Sequence, residues 1–140
     1  MVKGNSIYSG EKFKDNRGEL IAFNSFDMSR VSRMYMIEPN PEIIRAWQGH
    51  REETKWFFVV KGSFEIRSIE ATDANNIFLE NREKYILTEH DYQVLEVPGG
   101  NLNGFRALQP GSCLQVFSEF DLIKSKADDF RIDLSLLPWV

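Results

Sequence analysis

The chain has 140 residues, a formal charge of −4, 42% hydrophobic and 27% charged residues. That length is one domain with enough chain to bury a real core. The acidic balance lacks the basic footprint of a nucleic-acid binder, but a few local arginines can still hold a small phosphorylated ligand. The segment Met1-Val2-Lys3-Gly4-Asn5-Ser6 has none of the apolar core of a signal peptide. No run approaches the ~20 apolar residues of a membrane span, so a cytoplasmic protein is expected. The single cysteine, Cys113, excludes an internal disulfide. Its neighbours Leu114, Val116 and Phe117 point to a buried strand in which Cys serves as a small hydrophobe.

In chain order, Ile7-Tyr8 and Phe13 mark a first short strand, and Asp15-Asn16-Arg17-Gly18 is a tight turn. Glu19–Phe26 is predicted as a strand. Val31–Ile37 alternates, with Val31, Arg33, Tyr35 and Ile37 on one face and Met34 and Met36 on the other. The two prolines of Glu38-Pro39-Asn40-Pro41 cannot sit inside a ladder and make a loop. Ile43–Gln48 is a strand. Trp56–Val60 is a continuous apolar run, expected to be buried on both sides. Lys61-Gly62 turns the chain into the alternating stretch Ser63–Ile69, and the two runs are predicted to pair as a hairpin. Glu70–Asn76 is a polar loop. Ile77–Leu79 and Tyr85–Leu87 are two short strands around Glu80-Asn81-Arg82-Glu83, with a short helix as the competing reading.

Tyr92–Val97, Phe105–Leu108, Cys113–Phe120 and Phe130–Leu134 complete the strands, separated by turns such as Pro98-Gly99-Gly100-Asn101. Asp121–Asp129 is polar and charged. The apolar tail Leu136-Leu137-Pro138-Trp139-Val140 needs a surface to cover, either its own sheet or a partner. With about ten short strands and no amphipathic helix, the pattern is an all-β sandwich or barrel over residues 1–140.

The chemistry concentrates in Arg45–Gly62, which holds His50, Arg45, Arg51, Lys55, Glu53 and two tryptophans ahead of the apolar run. Extended backbone would place Ala46, Gln48 and His50 on one face and Arg45, Trp47 and Gly49 on the other. His50 has two readings, a base working near neutrality or a half-buried structural residue. His90 lies in a polar turn and is expected to be solvated. Arg17, Arg33 and Arg45 are candidate phosphate partners, or else partners of the chain's own carboxylates.

An ordered set of motifs carries a resemblance. Asp15-x-Arg17-Gly18-x-Leu20, Arg33-x-Tyr35, Arg45-Ala46-Trp47-Gln48-Gly49-His50, Val60-Lys61-Gly62-Ser63, Val97-Pro98-Gly99-Gly100 and Ser118-Glu119-Phe120-Asp121 span about residues 10–135. The set resembles the dTDP-4-dehydrorhamnose 3,5-epimerase and dTDP-sugar 3,4-ketoisomerase group of cupins, including its WxcM-like branch. The resemblance implies a cupin-type double-stranded β-helix, or jelly roll, and a homodimer that exchanges strands. It implies a dTDP-linked 4-keto-6-deoxy sugar as ligand, proton abstraction beside the ketone, and a place in deoxysugar and surface-polysaccharide synthesis. It gives Arg17 and Arg45 to the phosphates and puts Arg33 and Tyr35 at the pocket wall.

The departures fall on the acid–base groups. Gln48 stands where the family's first histidine would be, Phe120 where the epimerases carry tyrosine, and Asn103 where a later histidine would stand. Lys55 occupies the position of the glutamate in metal-binding cupins. One imidazole and a cation in place of a carboxylate make a poor ligand set for zinc or iron, so no metal or other cofactor is expected. Catalysis would then use His50 as base, with Tyr35 or Glu119 as proton partner and Arg45, Lys55 or Gln48 stabilising the oxyanion. Trp47 and Asn103 complete the expected substrate contacts. The alternative is a non-catalytic nucleotide-sugar-binding cupin that has lost the usual pair. A cupin for a free saccharide or small acid is a third reading.

Overall fold

The computed structural model describes residues 4–140; the first three residues of the N-terminal segment weighed above lie outside that range. Among the described residues the strands are β1 (Ser6–Ser9), β2 (Glu11–Asp15), β3 (Gly18–Ala22), β4 (Arg33–Ile37), β5 (Arg45–His50), β6 (Lys55–Lys61), β7 (Ser63–Asp73), β8 (Asn76–Thr88), β9 (Gln93–Val97), β10 (Asn101–Ala107), β11 (Cys113–Ser118) and β12 (Asp129–Arg131). One short helix, α1 (Leu122–Asp128), precedes β12. Two five-stranded antiparallel sheets form, ordered β1-β9-β6-β11-β4 and β12-β5-β10-β7-β8, and β2 and β3 make a separate hairpin. This is the expected all-β, cupin-like architecture.

From β4 to β7 and again from β8 to β11, successive strands alternate between the two sheets. That alternation corrects the predicted hairpin of Trp56–Val60 with Ser63–Ile69. The two runs are strands, but β6 pairs with β9 and β11, and β7 with β8 and β10. Phe57 and Val59 therefore meet Phe64 and Ile66 face to face across the core, rather than side by side in one ladder. Gly62 makes the crossing at φ +77°, and a Cβ there would lie 2.0 Å from Ser112 Oγ.

The sequential hairpin of the second sheet is instead β7–β8. The expected loop Glu70–Asn76 shrinks to the turn after Asp73, and the two short strands around Glu80–Glu83 fuse into one 13-residue edge strand with register shifts opposite Ile69–Asp73. The backbone ladder, which tolerates polar side chains on a solvated edge, outweighs the charge signal. Phe130–Leu134 is shorter than expected, as the three residues of β12, and Asp121–Asp129 is largely helix.

The main core lies between the sheets and takes Phe57, Val59, Leu95, Leu114 and Val116 from one and Phe64, Ile66, Leu87 and Phe105 from the other. The outer face of the first sheet is covered by Phe23, Phe26 and Val31 over Trp56, Val94 and Phe117. The C-terminal tail covers its own sheet: Trp139 packs against Trp47 with ring centroids 5.1 Å apart, and Trp47 Nε1 donates to the Leu137 carbonyl at 2.7 Å. Gly49 permits this layer, because a Cβ there would meet the Phe130 ring at 2.4 Å. Cys113 is buried at the start of β11, and burial pushes its thiol pKa up. Among the described residues, no helix is long and apolar enough to cross a membrane.

Candidate active site

Where the two sheets part, a cavity of about 840 Å³ opens between β4, β5, β6 and β10, with α1 and the β12 segment across it. The alternation of β4 turns Arg33, Tyr35 and Ile37 toward it and leaves Met34 and Met36 exposed outside. β5 supplies Arg45, Trp47 and Gln48, β6 supplies Lys55, and β10 supplies Asn103, which stands opposite Gln48 in register. The structure thus brings together Tyr35, Arg33, Arg45, Trp47, Gln48, Lys55 and Asn103 around one space.

Lys55 is 3% exposed and forms the polar floor. Its Nζ donates to Ser118 Oγ at 2.8 Å and to Tyr35 Oη at 3.2 Å, and lies 3.6 Å from Glu53 Oε1. A buried ammonium needs such partners, because an unpaired one would forfeit several kcal/mol of solvation. The Arg33 guanidinium lies 5.1 Å over the Tyr35 ring, and its Nε is buried without a hydrogen-bond partner among the described residues. Neither Arg33 nor Arg45 has an acidic partner among the described residues. Sequence reasoning missed the far wall, where Lys126, Asp129, Arg131 and Asp133 line the cavity. The weak signal for it was a charged stretch with no apolar stripe of its own.

Three expected site residues lie elsewhere. His50 is 2% exposed and is not part of the lining. Its Nδ1 stands 3.2 Å from Glu53 Oε1 without hydrogen-bond geometry, and Nε2 has no hydrogen-bond partner among the described residues. Burial, helped by the Lys55 charge, drives its pKa down to about 4, against the opposing pull of Glu53. The imidazole is therefore neutral at pH 7. Glu53 itself accepts from Ser125 Oγ at 2.6 Å and from the Phe120 backbone N–H at 2.9 Å, which locks α1 and the end of β11 over the histidine.

Glu119 is engaged by Arg30 at 3.1 Å and accepts from the Thr54 backbone N–H at 3.0 Å, away from the cavity. Arg17 is at the turn of the β2–β3 hairpin, its side chain 86% exposed and paired with Asp15 at 2.7 Å. His90 is exposed, as its turn setting implied.

No protein-family model and no curated protein sequence matches the chain. Solved structures do. A TDP-quinovose 3,4-ketoisomerase from Campylobacter jejuni is 22% identical with a TM-score of 0.71, covering 94% of this chain and 95% of that one. A dTDP-4-dehydrorhamnose 3,5-epimerase from Sulfolobus tokodaii is 21% identical with a TM-score of 0.75, covering 96% and 80%. A mutant 3,4-ketoisomerase from Thermoanaerobacterium thermosaccharolyticum, in complex with TDP-4-keto-6-deoxyglucose, is 17% identical with a TM-score of 0.71, covering 94% and 90%. The chain is similar in fold to the group that its motifs resemble.

Proposed function

We propose that this protein is an isomerase or epimerase acting on a dTDP-linked 4-keto-6-deoxy sugar, moving a proton beside the ketone. The observation that carries the reading is the cavity's charge. In a chain of net −4, five cationic side chains and two carboxylates line one space among the described residues. Two of those cations, Arg33 and Arg45, have no acidic partner among the described residues. Guanidinium groups in that condition suit a diphosphate, which offers paired acceptors. The bound ligand of the structurally similar ketoisomerase has that chemistry.

In this reading Arg33 and Arg45 hold the diphosphate, and Asn103 and Trp47 help to seat the rest of the ligand. Lys55 and Tyr35 meet the ketone oxygen. As the neighbouring C–H is broken, negative charge develops on that oxygen. A fixed ammonium in a partly closed cavity stabilises it more than water would. Tyr35 Oη, already hydrogen-bonded to Lys55, is placed to give and recover a proton there.

The working unit is a homodimer. Phe13 and Leu20 oppose each other on the β2–β3 hairpin and are 53% and 59% exposed, an apolar surface suited to a second copy. Such an exchange would carry Arg17 toward the partner's ligand. Nucleotide-linked sugars as substrates fit work in the cytoplasm, in deoxysugar supply for surface polysaccharide.

The test is hydrogen exchange at the carbon beside the ketone, followed by NMR with dTDP-4-keto-6-deoxyglucose in deuterium oxide, alongside a thermal shift with dTDP. Ligand binding raises apparent stability by mass action. A stabilising shift with exchange is expected. A shift without exchange leaves the second reading, a non-catalytic nucleotide-sugar-binding cupin, which Gln48 at the expected histidine position favours. Indifference to dTDP overturns both.

A further inference from the structure

Proton abstraction requires a base, and the cavity lining narrows the choice. Gln48 accepts no proton, and His50 lies outside the lining. The guanidinium groups and the ammonium are donors. Tyr35, hydrogen-bonded to Lys55, serves the ketone oxygen, which leaves two carboxylates among the described lining residues. Asp133 is exposed, and its Oδ1 accepts from the Ser135 backbone N–H at 2.8 Å, which holds its pKa below the usual carboxylate value and weakens it as a base.

Asp129 is placed differently. It opens β12 and stands opposite His50 in register, as Arg131 stands opposite Gln48. Directly opposed residues of an antiparallel pair share a face, so Asp129 is turned to the side of the sheet that bears Gln48. It is half-buried in the cavity wall. Gln48 Nε2 donates to Asp129 Oδ2 at 3.4 Å, and Arg131 Nε lies 3.5 Å from the same oxygen. Both contacts fall on Oδ2, and Oδ1 receives neither.

We propose that Asp129 is the catalytic base, with Gln48 as the positioning residue that aims it. The inference rests on the isomerase reading. The Asp129 carboxylate forms an O–H bond with the proton of the carbon beside the ketone. The C–H electron pair becomes the carbon–carbon double bond of an enolate, and the carbonyl π pair moves onto oxygen beside Lys55. The same carboxylic acid, or water, returns a proton to carbon. No oxidant, reductant or co-reactant is required. A glutamine is then no defect at position 48, because its amide steadies a carboxylate that does the work of the missing imidazole.

The experiment is the same deuterium exchange on the full-length protein, comparing wild type, Asp129→Asn, Asp129→Glu, His50→Gln and Gln48→Met. Thermal shifts with dTDP and circular-dichroism melting are recorded for each. Loss of a positioned base lowers rate on the order of 10²–10⁴-fold. That loss is expected in Asp129→Asn with the dTDP shift retained, and Asp129→Glu should recover part of it. Gln48→Met should lower kcat with little change in KM, and it tests the inference independently if Asp129→Asn folds poorly. Wild-type exchange in Asp129→Asn, or loss confined to His50→Gln, overturns the assignment while the isomerase reading stands. A wild-type protein that binds dTDP but never exchanges overturns both.

Discussion

Gln48 and His50 stand two residues apart on one face of β5, yet they meet different surroundings. Gln48 looks into an open cavity rich in cations, whereas His50 is buried beside Glu53, whose Oε1 also meets Ser125 and Lys55. Strand alternation makes the two equivalent. What separates them is the helix and the Thr54–Lys55 corner, which close one end of the sandwich. Chemical identity in a motif therefore does not fix a role. The better-equipped side chain is buried outside the cavity lining, and the plainer one lines it.

The sharpest way to break this contrast is at Glu53, 1% exposed and shared by Ser125, the Phe120 backbone N–H, His50 and Lys55. Glu53→Ala leaves a buried ammonium and a backbone N–H without their carboxylate and should cost about 3–5 kcal/mol, read as a lower urea midpoint at pH 7. Glu53→Gln keeps the shape and should cost less.

Acid reaches the same corner next. The His50 pKa falls from 6.5 to about 4 on folding. Between those values the unfolded chain binds a proton that the folded chain refuses, so stability rises with pH across this window. No penalty applies above about 6.5. It grows as pH falls and is complete below about 4, on the order of 3 kcal/mol. Urea midpoints between pH 7 and 4 should show this slope, and His50→Gln should flatten it.

The open side of the comparison responds in binding rather than folding. Arg33→Met removes a guanidinium whose Nε has no hydrogen-bond partner among the described residues. Hydrogen bonds to charged groups contribute about 1.5–3 kcal/mol, so calorimetry should find dTDP bound about ten- to a hundredfold more weakly, with the melting temperature nearly unchanged. The smallest effect is expected from Arg17→Ala, whose pair with Asp15 is solvent-exposed. Its melting temperature should match wild type, and a loss of dTDP affinity would be expected only if a second copy brings Arg17 to the ligand.

The strands were legible because alternation and turn residues are local signals. Arg33–Ile37 faced as its pattern required, and Arg33 and Tyr35 reached the cavity from it, whereas Val31, expected on that same face, precedes the strand and packs on the outer side of the sheet. Pairing partners were not legible. Lys61-Gly62 signals a sharp turn whether the chain doubles back within one sheet or crosses to the other, and only the shared core of Phe57 with Phe64 decides between them. The helix over Leu122–Asp128 was hidden because Ser125 is its single buried residue, so it has no apolar stripe to find. The far wall of the cavity was lost with it, Asp129 included. A base contributed by a three-residue strand distant from the main motif leaves no spacing to read.

The buried thiol has a practical consequence. Cys113 begins β11, which is held between β4 and β6, the strands that carry Arg33, Tyr35 and Lys55. As the chain's one cysteine, burial keeps it from reacting as a thiolate in the closed fold. An alkylating reagent therefore acts as a clock for local opening of that strand. Labelling should be slow in native buffer, and a further slowing by dTDP would show that opening at Cys113 is coupled to the Ser118–Lys55 end of the same strand pair.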